Sequence, residues 1–236
     1  MTGFLRAARR TDVHAVVVGV KLSGETYRRE EPTMVRPSNP ELAEKILLAT
    51  AAIIEEQGPD GVTMRGVARR IEYSATTIYL YFENKDDLLD QTVVRAFGWF
   101  SEAMKEAAGT GVGVERIRNR ARGYVRWALE HKGMYQLMFQ HDSIRPLDSE
   151  TGSVQPRTLR DSEQLIEDAI KAGALPATLD AKRAARINWA GLHGVVSLAL
   201  SGRLFGAPAD VGMERVEAQA MELAEQFVDS WVGARA

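Results

Sequence analysis

The chain has 236 residues and a formal net charge of −2, with 45% hydrophobic and 26% charged residues, the balance of a globular protein with one large core or two smaller ones. It contains no cysteine, which excludes disulfides, thiolate metal sites and a cysteine nucleophile, and its four histidines (His14, His131, His141, His193) lack metal-ligand spacing, so no metal or cofactor is expected. The apolar run at 13–20 is too short to span a bilayer and has no convincing cleavage site, so the expected location is the cytoplasm, with no membrane partner.

Residues 1–36 read as a poorly ordered leader, with seven Lys/Arg against four acids and with Pro32, Pro37 and Pro40 marking its exit. Met34 offers an alternative start that would remove most of it. Arg6, Arg9, Arg10, Arg28 and Arg29 would suit a phosphate-touching arm, but a solvated tail is the simpler reading. Asn39-Pro40 then supplies a helix N-cap followed by proline at the first helical position. Leu42, Ile46, Ala49 and Ile53 recur at helical spacing until Gly58-Pro59 stops the helix.

Thr63 is the N-cap of a second helix that buries Val67, Ala68 and Ile71, and Ser74 is the N-cap of a short third helix anchored by Ile78 and Phe82. Helix, tight turn and helix in this order form the geometry that places one helix in the DNA major groove while its neighbour crosses the backbone. Residues 37–90 nevertheless carry five Lys/Arg against ten acids. Bulk electrostatics therefore cannot supply the binding, and a few positioned cations must. The third helix offers Ala75, Thr76, Thr77, Tyr79 and Tyr81, hydroxyls and methyls without an Asn, Gln or Arg to grip a purine twice. Arg65 is the candidate for a two-pronged contact with guanine. Thr63, Tyr79, Tyr81 and Lys85 would hold phosphates, and Tyr73 and Ser74 complete the expected DNA-contacting set.

Asn84 caps a longer fourth helix through Leu88, Leu89, Val93, Phe97 and Phe100, ended by the glycine-rich stretch at 109–113. Helical periodicity then continues at 114–131, 133–141, 156–172, 180–201 and 211–233, with a polar loop at 142–155 and turns at 173–176 and 202–210. No segment argues for a strand. The expected fold is all-α, with nine helices: a helix-turn-helix DNA-binding domain at 37–90 on a larger helical body at 91–236.

The run Tyr79-Leu-Tyr-Phe82, with Asn84-Lys85 and Leu88-Leu89 after it, resembles the signature of the tetracycline-repressor (TetR) family of bacterial transcriptional regulators. Trp189-Ala-Gly-Leu-His193-Gly194, with the segment from His131 to Phe139 upstream, is similar to the C-terminal domain of a TetR subgroup named for its Trp-His-Gly pattern. The two resemblances cover most of the chain after residue 40. They imply an all-helical homodimer that a small-molecule effector releases from a palindromic operator in double-stranded DNA, and they place Arg65 where the family often has a base-contacting arginine. The last two helices are the expected dimer interface, with Val195, Leu198, Ala199, Ala218, Ala220, Ala224, Phe227 and Trp231. Two positions depart from the family pattern. Gly66 stands where an acid would close a capping box with Thr63, and Glu72 stands where the interhelical turn usually has glycine.

In the body, Trp127, Met134, Tyr135, Met138, Phe139, Trp189 and His193 are candidate walls of an effector pocket, since such a site is mostly apolar with a few polar groups. Aromatic and methionine residues at helical spacing also make ordinary core, and His193 suits a satisfied core histidine. Arg116, Arg118, Arg120, Arg122 and Arg126 read as a solvated face or as partners of nearby carboxylates. An enzyme is not expected, because no Ser/His/Asp ordering, phosphate-binding glycine loop or metal cluster is present. A body that binds a protein partner is the remaining alternative, recognisable by an exposed apolar patch in place of a cavity.

Overall fold

The computed structural model describes residues 39–140, 154–203 and 213–232. The expected leader at 1–36, Met34, and most of the expected polar loop lie outside them. The described residues form α1 (Pro40–Gln57), α2 (Met64–Arg70), α3 (Ala75–Tyr79), α4 (Lys85–Ala108), α5 (Val114–Glu130), α6 (Lys132–Gln140), α7 (Val154–Lys171), α8 (Ala181–Leu200) and α9 (Met213–Val232), with one 3₁₀ turn at Pro59–Gly61. Among the described residues no strand occurs and no helix is long and apolar enough to cross a membrane.

The first helices begin where side chains can satisfy their free N–H groups. Asn39, Thr63, Ser74 and Asn84 each accept a hydrogen bond from the backbone N–H three residues on, at 2.9–3.1 Å. At Thr63 the bond is one-sided, because Gly66 has no side chain to return it. Asp87 returns one at the start of α4, accepting from the Glu83 N–H at 2.9 Å.

Between α2 and α3 the chain reverses through a left-handed residue. Glu72 has φ 64°, the one non-glycine residue with positive φ among those described. Its N–H donates to the Arg69 carbonyl and the Tyr73 N–H donates to the Ala68 carbonyl, the paired bonds of a Schellman termination. Two backbone bonds thus hold a conformation that the Cβ of Glu72 opposes.

Ile46, Ile54, Val62, Val67, Ile78, Phe82 and Leu88 close the core of α1–α3 and the start of α4. The boundary expected at residue 90 falls inside α4, which runs on into the body without interruption, and the described residues belong to one compact unit. In the body α5 is central, packing against α4, α6, α7, α8 and α9. Gly123 allows the α4–α5 approach, since a Cβ there would overlap the Ala107 methyl. Arg118 and Arg122 fasten α5 to α9 through Asp229 and Glu225, at 2.7 and 2.6 Å. Hydrogen bonds to these carboxylates hold both guanidinium pKa values above the usual arginine value.

Glu72→Gly should stabilise the full chain by about 0.5–1 kcal/mol, the relief of left-handed strain less the extra freedom of glycine in the unfolded state. Chemical denaturation measures this. An unchanged or lower midpoint would show that the Cβ at this turn costs nothing.

Candidate functional site

The surface of α2, the turn and α3 carries an outward group of polar side chains. Thr63, Arg65, Tyr73, Ser74, Thr76 and Tyr79 are exposed, Ala75 and Thr77 half-buried, and Tyr79 is 49% accessible. The Ser74 and Thr77 hydroxyls lie 2.9 Å apart and share a hydrogen bond that sets their orientation. Among the described residues Arg65 has no carboxylate partner, whereas Arg70 is held by Glu56 through two bonds of 2.8 and 2.6 Å. Lys45 approaches from α1, donating to the Ile71 carbonyl at 3.2 Å and lying 5.3 Å from the centre of the Tyr73 ring.

Two residues depart from the expected face. Tyr81 is only 8% exposed, because the turn after α3 rolls it with Phe82 into the core. Lys85 is half-buried and donates to the Asp60 carbonyl at 3.2 Å, so in the free chain it also ties α4 to the turn before α2.

The second site is a cavity of about 320 Å³ inside the body. Phe97 and Phe100 of α4, Tyr124 of α5, Phe139 of α6, Leu159 of α7 and Trp189 and Leu192 of α8 supply most of its apolar wall. Its polar groups are Arg120, Thr158, Ser162, Arg186 and Asn188. Arg120 is 7% exposed; its Nε donates to the Ser162 hydroxyl at 3.0 Å and its Nη2 to the Thr158 carbonyl at 3.1 Å. Burial pulls its pKa down to about 10, opposed by the charge of Asp161, so it remains a cation at neutral pH. Asp161 itself is engaged by Ser101 at 3.3 Å and Lys105 at 3.4 Å. Arg120 is therefore buried and, among the described residues, not the ion-pair partner of a carboxylate, in contrast to Arg118 and Arg122.

Of the residues expected to line a pocket, Phe139 and Trp189 do so. Met134, Tyr135 and Met138 are buried away from the cavity, because α6 is wedged between α1, α4 and α5 and turns most of its apolar surface toward them, and Trp127 of α5 is buried against Phe100 and His131. His193 lies behind the wall. Its Nδ1 is 2.6 Å from the Tyr135 hydroxyl, which is 3.2 Å from that of Tyr124. Burial raises both phenols, Tyr135 to about 12, and lowers the His193 imidazole, so the chain of groups is neutral at pH 7.

Arg120 and Asn188 could have been found in the sequence. Arg120 interrupts the buried stripe Ile117, Tyr124, Trp127, and Asn188 interrupts Ala184, Leu192, Val195. A polar residue at a core position of a helical repeat is informative because burial must be compensated.

The two sites are joined where α1 meets α6. The Glu55 carboxylate accepts from the Gly133 N–H at 2.9 Å and the Met134 N–H at 3.1 Å, capping α6 from another helix. Gly133 is needed there, since a Cβ would come within 2.6 Å of the Ile54 carbonyl oxygen. His131 stands 3.8 Å from Glu55, and burial lowers its pKa more than that carboxylate raises it.

Residues 46–92 match the family described as bacterial regulatory proteins, tetR family, and residues 117–223 match the tetracyclin repressor-like C-terminal domain. An uncharacterized HTH-type transcriptional regulator of Haemophilus influenzae is 36% identical over 72 residues, 30% of this chain; the match spans 38% of that relative's length. A protein of unknown function from Rhodococcus sp. RHA1 superposes with TM-score 0.67 at 23% identity, covering 84% of this chain and 99% of that one. The transcriptional regulator FadR from Bacillus subtilis, solved in complex with stearoyl-CoA, superposes with TM-score 0.60 at 18% identity, covering 78% and 97% of the two chains.

His131 and His193 both have folded pKa values below the ordinary histidine value, so the unfolded chain binds their protons more readily. Their contribution to stability is complete above about pH 6.5 and is lost as the pH falls toward their folded values. Melting temperature should therefore drop between pH 7 and 5.5, and the drop should shrink in His131→Gln/His193→Gln. An identical slope in the double variant would assign the effect to other groups.

Proposed function

We infer that the chain is a TetR-family transcriptional regulator, a DNA-binding repressor which a small-molecule effector releases from a palindromic operator. The observation that carries this reading is the outward group Thr63, Arg65, Tyr73, Ser74, Thr76 and Tyr79 on a helix-turn-helix whose inward residues Val67, Ile71 and Ile78 are fully packed. Arg65 supplies the guanine contact, and hydroxyls and helix N-termini position the backbone. Residues 37–90 act as the DNA-binding part, 91–236 as the effector-binding and dimerisation part, and the site of action is the cytoplasm. The Trp189-to-Gly194 segment supports placing the body in the Trp-His-Gly subgroup.

A homodimer reads two half-sites about 34–36 Å apart, one turn of DNA. The interface proposed here is a stripe along α8: Ile187, Ala190, Gly194 and Leu198 share one face and are exposed or partly exposed, with Ile187 at 49% and Leu198 at 46%. Val195, Ala199, Ala220 and Ala224, expected at that interface from their size, are instead buried within the chain.

A cavity of about 320 Å³ walled by side chains of five helices favours a small-molecule effector over a protein partner. Its walls include Phe97 and Phe100 of α4 and Phe139 of α6. α4 carries Leu88 and Leu89 into the DNA-binding part, and α6 is capped by Glu55 of α1. A ligand that prefers one seating of these two helices changes the separation of the recognition helices, and its differential affinity for the two seatings sets the extent of release. The FadR complex with stearoyl-CoA supports the same division of labour.

Arg65→Ala should relax specificity at one base pair per half-site, at a cost of about 1–3 kcal/mol there. Operator selection from random DNA, followed by binding to single-base variants, checks this; a uniform loss across all variants would reduce Arg65 to a phosphate contact. Glu55→Ala should uncouple the two parts, leaving operator affinity near its original value while raising the effector concentration needed for release. Equal release curves for the two proteins would remove the α1–α6 route.

A further inference from the structure

The cavity contains two polar groups whose needs the chain itself does not meet. Asn188 is 7% exposed, and its Oδ1 is buried without a hydrogen-bond partner. Arg120, equally buried, uses two of its five N–H groups on Ser162 and Thr158, both neutral, and among the described residues no carboxylate lies within ion-pair distance of it. An unpaired buried acceptor and an unneutralised buried cation each destabilise the free protein. Both line the same apolar cavity. The Arg118 and Arg122 guanidiniums on the same helix have carboxylates at 2.6–3.1 Å, whereas Arg120, the buried arginine that lines the cavity, has only the neutral Ser162 and Thr158.

Resting on the effector-cavity reading above, we propose that the ligand is a small, largely apolar carboxylic acid that also carries a hydroxyl or N–H donor. Its carboxylate meets the free N–H groups of Arg120 and neutralises the cation. Its donor meets Asn188 Oδ1. Its hydrocarbon or aromatic part lies against Phe97, Phe100, Phe139 and Trp189. Planar guanidinium pairs well with carboxylate, and a pair formed away from water is worth more than one on the surface. A neutral analogue would leave the cation uncompensated, and an acid lacking the donor would leave Asn188 unsatisfied, so each loss is selective.

The test uses the full chain and matched probes: 2-, 3- and 4-hydroxyphenylacetate and indole-3-acetate, each beside its primary amide, with phenylacetate as the acid lacking a donor. Binding is read by quenching of tryptophan fluorescence and by the ligand-induced rise in melting temperature. At least one acid should bind tenfold or more tightly than its amide, and the best hydroxyphenylacetate should exceed phenylacetate at least threefold. Arg120→Gln should erase the acid preference. Asn188→Leu should erase the hydroxyl increment while leaving the melting temperature of the free protein equal or higher, since it removes an unpaired oxygen. The comparison between probes on the unaltered protein stands even if Arg120→Gln fails to fold. Amides that bind as well as or better than the acids would overturn the ligand class and leave the effector cavity standing. No binding by any probe at millimolar concentration would overturn both.

Discussion

Two hydrogen bonds that the Glu55 carboxylate accepts from the first amides of α6 tie the body to the part that holds the helix-turn-helix. An N-terminal helix amide is one of four without an intrahelical acceptor, and the helix dipole adds attraction for a negative charge. Most helices meet this need with a residue adjacent in sequence. Here the cap of α6 comes from α1, 78 and 79 residues away, in the part that carries the recognition helix. The position of α6 is thereby referred to α1 and not only to its own loop. Gly133 makes the arrangement close and stiff, since the Ile54 carbonyl occupies the space of any Cβ. α4 makes the second connection as a continuous helix, with Arg95 bound to Glu44 of α1 at 2.9–3.0 Å.

The body that these connections serve is an unequal mixture of packing and unmet polarity. Around Phe100 the rings of Tyr124, Trp127 and Phe139 lie edge-on at centroid distances of 4.9–6.4 Å, the arrangement aromatic quadrupoles favour. This cluster gives the cavity a rigid apolar side. The polar lining holds Arg120, Ser162 and Asn188, where the chain accepts a cost in stability. Core close-packing elsewhere means that a ligand cannot be admitted by diffuse expansion, so any response is expressed as a shift of whole helices. α4 and α6 are wall helices that also pack against α1, in the part that holds the helix-turn-helix.

Strain at the recognition turn has a related logic. Glu72 holds a left-handed conformation that the Schellman bonds from Tyr73 and Glu72 enforce, and the result sets the angle at which α3 leaves α2. The conformation serves placement of α3, while the side chain itself stays in solvent. An acid there also adds repulsion toward a phosphate backbone, consistent with a domain that discriminates by a few positioned contacts.

The helices, their caps and the turn were legible in the sequence because their causes are local. Asn39, Thr63, Ser74 and Asn84 act within three residues of themselves, while Glu72 was marked by resemblance to a family that usually has glycine at this turn, and its left-handed conformation was decided by the structure. Exposure of Arg65, Thr76 and Tyr79 follows from the helical period once Val67 and Ile78 are assigned inward. The cavity followed different rules. Which of several buried aromatic residues faces a void depends on how three or four helices cross, so Phe139 and Trp189 reach it while Met134, Tyr135 and Met138 do not. Tyr81 shows the same dependence, drawn into the core by the turn that follows α3. Periodicity determined which residues are buried and which local groups cap which helices. Tertiary structure alone decided what each buried group meets, because an arginine in a helical stripe reads alike whether a carboxylate, a hydroxyl or an open cavity lies across from it.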